Sequence, residues 1–174
     1  MLRMCVRFFV VAMVVGSVCF SAPVHGENMI PDPQFKKFDY SPVEHREEWK
    51  EYWRSYQIEK PGKWSAKAGA AEITGGKTFV HSPYFGVEPG QTLQIRLSAS
   101  GDGKVGVQCL YWTAEGGTAK KHRTIPIEVT AVKEEKSTLQ GTDTVPEEAA
   151  EAYIRIVVEG GTVSVSEPKV TPAE

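Results

Sequence analysis

The 174-residue chain carries 20 basic and 22 acidic side chains, so its formal net charge is −2. This mildly acidic balance argues against a nucleic-acid-binding protein, which needs a basic surface to offset phosphate charge. The length suits one domain with a hydrophobic core of its own rather than two domains or a miniprotein.

The N-terminal segment has the pattern of a secretory signal peptide. Arg3 and Arg7 form a positive region, and an apolar run from Phe8 to Phe20 follows. This run is too short for a stable membrane-spanning helix. Val24 and Gly26 suit the subsites of a signal peptidase, so we expect cleavage after Gly26. The sequence therefore predicts an exported protein, either secreted or periplasmic.

Cleavage after Gly26 leaves residues 27–174 as one mature domain, with no further apolar stretch of membrane-spanning length. Its net charge is −4, because the only two arginines of the signal are removed and no acidic residue goes with them. Cys109 is then the only cysteine, which favours a bacterial envelope or secreted protein without an internal disulfide. Lipidation of Cys19 is the less favoured alternative, because Val18 is too large for the usual lipobox.

The first predicted element of the mature domain is a short amphipathic helix from Pro42 to about Arg54. Its start combines a capping box, Ser41-Pro42-Val43-Glu44, with proline in the first helical position. Four aromatic residues then recur with helical spacing, which places them on one face. They are Trp49, Tyr52, Trp53 and Tyr56. This aromatic stripe either caps the core, with Trp53 inside, or leaves a part such as Trp49 exposed as a stacking surface.

The remainder of the mature domain is predicted to form short strands separated by turns, because apolar and polar residues alternate with a period of two. Turn signals recur between these runs, and Pro126 indicates an edge strand. The absence of intervening helical patterns predicts an all-β domain, an antiparallel sandwich or barrel. The predicted strands are Trp64–Lys67, Ala71–Thr74, Thr78–Tyr84, Gln91–Ser98, Val105–Trp112, Arg123–Thr130, Leu139–Val145, Tyr153–Val158 and Thr162–Val170.

Three segments, in this order, resemble the CenC-type carbohydrate-binding modules, a branch of the galactose-binding-like jelly rolls. They are similar to the family's opening strand, to its turn into a central strand, and to its closing strands. The resemblance spans nearly all of the mature domain and implies an antiparallel jelly-roll β-sandwich that binds glycans without catalysis. The matching residues are Asn28 to Phe35, Ser82 to Leu93, Val145 to Ala149, Ala152 to Ile156 and Gly161 to Val165.

The resemblance also implies a structural calcium, which the family often holds between a carboxylate after the opening phenylalanine and acidic residues of the last strand. In this chain Lys36 and Lys37 follow Phe35, and the closing strand offers only Ser166 and Glu167. Calcium takes six to eight oxygen ligands, whereas a lysine supplies a competing cation. We therefore expect no metal site and no cofactor.

No pattern typical of an enzyme is present in the mature sequence. His45, His81 and His122 stand alone, without the spacing of metal ligands. The G-x-S-x-G elbow of serine hydrolases is absent, and Cys109 alternates with valines as a small core residue does. The sequence predicts a protein that is not an enzyme.

A binding function is predicted from the strand alternation. If Leu93, Ile95 and Leu97 face the core, as do the alternate residues of the later strands, then their neighbours face outward. Aromatic rings stack on the C–H face of a sugar, and Arg and Gln groups hydrogen-bond its hydroxyls. The predicted binding residues are Trp112, Tyr153, Arg96, Arg155, Gln108, Gln94 and Trp49, with Trp64 as a secondary candidate.

Two kinds of partner remain open at this stage. One is a glycan bound on this exposed sheet face. The other is a protein of the cell envelope, because the same outward side chains could instead pair with neighbours across the strands. In that case the chain is a structural or protein-interaction β-sandwich without affinity for sugars.

Overall fold

The computed structural model describes residues 26–39, 50–57, 63–67, 69–115 and 118–173. Residues 1–25 of the predicted signal peptide, and the part of the predicted helix before Lys50, lie outside these ranges. The described residues form twelve strands: β1 (Phe38–Asp39), β2 (Trp53–Gln57), β3 (Lys63–Lys67), β4 (Ala70–Thr74), β5 (Lys77–His81), β6 (Phe85–Gly86), β7 (Thr92–Gly101), β8 (Lys104–Trp112), β9 (Thr118–Ala131), β10 (Ser137–Thr144), β11 (Glu151–Glu159) and β12 (Thr162–Pro172).

The strands form two sheets that pack face to face. The seven-stranded sheet has the order β1-β2-β5-β11-β8-β9, and β6 pairs with β11 beside this path. The five-stranded sheet has the order β10-β7-β12-β4-β3. Pairing is antiparallel except for the two-residue parallel contact between β1 and β2. This arrangement confirms the predicted all-β sandwich, and β9, which contains Pro126, lies at a sheet edge as predicted.

The core lies between the sheets and is built by the alternation that the sequence predicts. In β7 of the five-stranded sheet, Leu93, Ile95 and Leu97 are fully buried. In β11 of the seven-stranded sheet, Ile154 and Val158 are fully buried in the same way. Full burial of one such side chain stabilises a fold by about 1.5–3 kcal/mol.

The predicted helix is wrong for its described end. Lys50 and Glu51 lie in a turn, and β2 starts at Trp53. Trp53 is fully buried, as predicted, whereas the preceding Tyr52 is 38% exposed, so neighbouring side chains point in opposite directions as in a strand. The ring of Trp53 packs 4.3 Å from that of Phe35. Packing of this ring in the core outweighs the helical spacing of the aromatic residues.

The first described residues are joined to the last strand by Asn28. Its side-chain oxygen accepts a hydrogen bond from the backbone N–H of Val170 at 3.0 Å, and its side-chain nitrogen donates to the carbonyl of Pro168 at 2.9 Å. The same oxygen accepts from the N–H of Ile30 at 3.2 Å. The opening segment is therefore an integral part of the sandwich, beside β12.

The outer face of the seven-stranded sheet differs from the prediction. Residues that alternate with the core in β8 and β11 were expected to be exposed, yet Leu110, Tyr153 and Val157 are buried. Leu110 and Tyr153 form a second, smaller hydrophobic cluster with Tyr84, which comes from the segment between β5 and β6. Alternation within a strand cannot reveal such a second layer, because one of its members belongs to a different part of the chain.

Within the described ranges, no helix is long and apolar enough to cross a membrane.

Candidate functional site

A row of polar side chains crosses four neighbouring strands on the outer face of the seven-stranded sheet. The register aligns Arg54 of β2 with His81 of β5, His81 with Arg155 of β11, and Arg155 with Gln108 of β8. Neighbouring strands lie about 4.8 Å apart, so this polar row spans about 14 Å. These four residues form the polar row.

Arg155 is the centre of the polar row. Its Nε donates a 2.9 Å hydrogen bond to Nε2 of His81, and its Nη1 donates to Oε1 of Gln108 at 3.4 Å. Its guanidinium carbon lies 4.8 Å from the ring centroid of Phe79. The contacts of Arg155 therefore hold its planar group between two strands, next to groups that carry no charge.

His81 is held in its neutral form within this row. Burial lowers the pKa of His81 well below its ordinary value of 6.5, and the positive charges of Arg155 and Arg54 lower it further. Because Nε2 accepts the hydrogen bond from Arg155, the neutral ring carries its proton on Nδ1. His81 thus acts as an acceptor that orients the guanidinium rather than as a third cation.

An aromatic cluster adjoins the polar row and comprises Tyr84, Leu110, Tyr153 and the half-buried Trp112. The Tyr153 ring lies 5.0 Å from the Tyr84 ring and 5.0 Å from the His81 ring, tilted by 42° and 35°. Burial raises the pKa of Tyr153, and the nearby Arg155 guanidinium offsets part of this rise. The aromatic cluster and the polar row therefore form one continuous surface, which we call the outer face site.

Ser82 fixes the position of Tyr84 in this surface. The Ser82 hydroxyl donates to the carbonyl of Pro83 at 2.8 Å and accepts from the N–H of Ile154 at 3.0 Å. The backbone N–H of Ser82 donates to the carbonyl of Ile154 at 2.9 Å. These bonds hold the segment between β5 and β6 alongside β11. The Tyr84 ring therefore lies next to the Tyr153 ring.

The structure brings together four of the seven predicted binding residues. Trp112 and Gln108 of β8, and Arg155 and Tyr153 of β11, share the outer face of the seven-stranded sheet. Trp112, Gln108 and Arg155 are half-buried, but Tyr153 is only 4% exposed. Tyr153 therefore does not offer an open stacking platform, contrary to the expectation for an outward-facing residue.

The placement of Gln94 and Arg96 with these four residues is wrong. Both are exposed on β7, which belongs to the five-stranded sheet, and they face away from its core side. Packed sheets are about 10 Å apart, so the outer faces of the sandwich look in opposite directions and one ligand cannot contact both. Trp49 lies outside the described residues, as does the side chain of Trp64 in β3.

Four residues in or beside this surface were not predicted from the sequence, namely Arg54, Phe79, His81 and Tyr84. Arg54 fell inside the predicted helix, which hid its place in a strand. Phe79 and His81 lie in a predicted strand on either side of the core residue Val80, so alternation could have identified them. Nothing in the sequence pattern signals Tyr84, which follows β5 in a connecting segment.

Glu167 lies at the position where the family resemblance implies a calcium ligand, but its carboxylate is bound by other groups. Glu167 accepts a 2.7 Å contact from the ammonium of Lys136 and a 2.8 Å hydrogen bond from the hydroxyl of Ser98. These two hydrogen bonds lower the pKa of Glu167. In the described part of the chain, no group of three or more His, Cys, Asp or Glu side chains is placed to hold a metal ion. The expected lack of calcium binding remains a prediction.

Cys109 is a free, buried thiol in β8. Burial raises the pKa of Cys109 far above its ordinary value, and the negative charge of Asp143 raises it further. A protonated thiol in the core is a poor nucleophile, which agrees with the prediction of an inert core residue.

The sequence matches no protein-family profile and no curated protein. Among solved structures, a CBM4 carbohydrate-binding module is similar, with a TM-score of 0.59 and 17% identity over 83% of this chain and 99% of that chain. TmCBM61, solved in complex with β-1,4-galactotriose, has a TM-score of 0.54 and 14% identity over 84% of this chain and 99% of that chain.

A third similar structure is the enzymatically active domain of tailspike protein 4 from bacteriophage CBA120. It has a TM-score of 0.59 and 13% identity over 84% of this chain, which matches only 21% of the tailspike chain. At these identities the similarity establishes the fold alone. The fold is the jelly-roll sandwich found in carbohydrate-binding modules, and the narrower CenC-type assignment remains a prediction.

Proposed function

We propose that this protein is an exported, non-catalytic module that binds a glycan on the outer face site. One observation carries the proposal: Trp112, a half-buried ring of the aromatic cluster, lies on the same sheet face as the polar row. An apolar ring beside planar hydrogen-bonding groups is the combination that sugar recognition needs. The shared fold of carbohydrate-binding modules supports this choice of ligand class.

In this proposal each group has a distinct role. The Trp112 ring contacts the apolar face of a sugar ring, while the half-buried Arg155 and Gln108 hydrogen-bond its oxygens. His81 orients Arg155 by accepting from its Nε. The buried Tyr153 supports the surface from below rather than stacking on the ligand.

The test is retention on a panel of insoluble polysaccharides and on a glycan array. The W112A variant is expected to lose retention while it keeps the circular dichroism spectrum of the wild type. The matched control is Q94A, which truncates an exposed residue on the opposite sheet and is expected to bind as the wild type does. If W112A is still retained and Q94A is not, the glycan does not bind at the outer face site.

A second candidate function is a structural or protein-interaction domain of the cell envelope. The burial of Tyr153 and Leu110 favours it, because these side chains are packed into the protein rather than open to a ligand. This function predicts that the wild-type domain retains no glycan at all. The same panel therefore decides between the two.

A further inference from the structure

The charge balance of the outer face site indicates the chemical class of its ligand. Arg155 is half-buried and makes its polar contacts with His81, Gln108 and Tyr153. It forms no ion pair with any described carboxylate. A guanidinium is always charged at neutral pH, and its five N–H donors match the geometry of a carboxylate or sulfate.

The acidic residues nearest along the same strand face are occupied elsewhere. Glu151 and Glu159 lie four positions before and after Arg155 in β11, about 13 Å away along the strand. Glu151 pairs with Lys50 at 2.8 Å, and Glu159 pairs with Lys77 at 2.7 Å. Each of these two carboxylates of β11 therefore pairs with a lysine, and neither forms an ion pair with Arg155.

The polar row also carries a second cation. Arg54 aligns with His81 on the far side from Arg155, so two guanidiniums flank one neutral imidazole. Burial is the largest cause of the lowered pKa of His81, and the positive charges of Arg155 and Arg54 lower it further. The two positive charges of the polar row contrast with the formal net charge of −2 of the whole chain.

From these contacts we infer that the outer face site prefers an acidic saccharide, whose carboxylate or sulfate group pairs with Arg155. This inference rests on the proposed function, because it names the class of glycan that the same surface binds. A neutral glycan would leave the half-buried Arg155 charge without a counter-ion, whereas an acidic sugar would supply a charge-assisted, bidentate partner. Trp112 would contact the apolar face of the same or the adjoining sugar ring.

The experiment compares saccharides that share a backbone and differ in charge. Binding of the wild-type protein is measured by calorimetry with hexagalacturonate and its carboxyl-reduced, neutral counterpart, and with heparin oligosaccharides and their desulfated counterparts. The first pair tests a carboxylate and the second a sulfate. We expect the more highly charged member of at least one pair to bind more tightly than its less charged counterpart by on the order of tenfold.

Three variants assign that preference to Arg155. R155Q removes the charge and is expected to abolish the preference, while R155K keeps the charge and is expected to retain part of it. R96Q makes the same change of charge on the outer face of the five-stranded sheet and is expected to leave the preference intact. Thermal unfolding of each variant shows whether a loss reflects binding or folding, and if R155Q does not fold, R155K and R96Q still compare the two faces.

The outcomes separate the inference from the proposed function. Equal or tighter binding of the less charged member in both pairs overturns the preference for acidic ligands and leaves glycan binding in place. The inference is also overturned if R96Q loses the preference and R155Q keeps it. Recognition of the acidic group would then lie on the five-stranded sheet. If the wild type binds no saccharide of the charged pairs or the polysaccharide panel, both proposals fail.

Discussion

The phenol of Tyr111 donates a 2.6 Å hydrogen bond to Oδ2 of Asp143, and this bond joins β8 of one sheet to β10 of the other. The hydroxyl of Thr124 in β9 donates to the same oxygen, and the backbone N–H of Thr144 donates to Oδ1 at 3.0 Å. Burial raises the pKa of Tyr111 above its ordinary value, so the phenol stays protonated as a donor. Asp143 therefore links three strands along one edge of the sandwich.

Removal of this link is expected to destabilise the domain. Y111F deletes one charge-assisted hydrogen bond and should lower the free energy of unfolding by about 1.5–3 kcal/mol. D143A leaves the buried Tyr111 hydroxyl and the Thr124 hydroxyl without their acceptor and should cost more. Urea unfolding measures both values, and T142A, at an exposed neighbouring position of β10, is the control. A loss of stability in D143A no larger than in T142A would refute the structural role of Asp143.

A glycine of the same edge is expected to be irreplaceable for steric reasons. A Cβ on Gly141 of β10 would collide with the carbonyl of Pro126 in β9, because the two strands approach closely there. G141A should therefore lower the free energy of unfolding by about 1–3 kcal/mol through forced backbone shifts. G86A is the matched control, since a Cβ on Gly86 meets no atom within 4 Å. Equal unfolding midpoints for the two variants would show that β9 and β10 are further apart than described.

Three strands, β7, β8 and β11, were predicted correctly from the sequence. Period-two alternation gave β7, β8 and β11 with their inward residues, because each has one face in a continuous core. The aromatic spacing predicted a helix, whereas Trp53 lies in β2 with its side chain buried. Only packing against Phe35 distinguishes these alternatives, and that contact joins distant parts of the sequence.

The predicted site failed in part because alternation shows which side of a strand a residue occupies, but not which sheet the strand joins. β7 and β8 are separated by only Asp102 and Gly103, yet they lie in opposite sheets. Gly101 makes this possible with a φ of 132° and no room for a side chain beside the backbone of Thr162. Gln94 and Arg96 therefore lie on the opposite side of the sandwich from Gln108.

The neutral state of His81 predicts a pH dependence of stability. Because the pKa of His81 in the folded protein lies well below 6.5, the unfolded chain binds a proton below about pH 6.5 that the folded protein does not. The contribution of His81 to the free energy of unfolding therefore falls with pH below that point, by up to about 1.4 kcal/mol per pH unit until the folded-state pKa is reached.

The measurement compares urea unfolding of the wild type and H81Q at pH 7.5 and 5.5. Gln keeps an acceptor for Arg155 but does not titrate, so H81Q should lose less stability on acidification than the wild type does. The other histidines are present in both proteins, and the difference between them isolates His81. Parallel losses of stability in the two proteins would mean that His81 takes up its proton normally when folded.

The contacts of Glu167 lead to a prediction about calcium. An ion at this position would have to displace the ammonium of Lys136, which lies 2.7 Å from the carboxylate. Millimolar calcium chloride should therefore leave the melting temperature unchanged, since only a ligand that binds the folded state raises it. Magnesium chloride at the same ionic strength is the control, and a calcium-specific rise of several degrees would contradict the prediction.

The most direct test of the account is a nuclear magnetic resonance titration that locates the bound glycan. Xylohexaose and hexagalacturonate are added separately to the ¹⁵N-labelled domain, and the side-chain signals of Trp112, Gln108 and Gln94 are followed. Glycan binding at the outer face site predicts that the Trp112 indole and Gln108 amide signals shift with at least one saccharide while the Gln94 amide signal stays in place. Shifts confined to Gln94, or unchanged spectra with both saccharides, would contradict it.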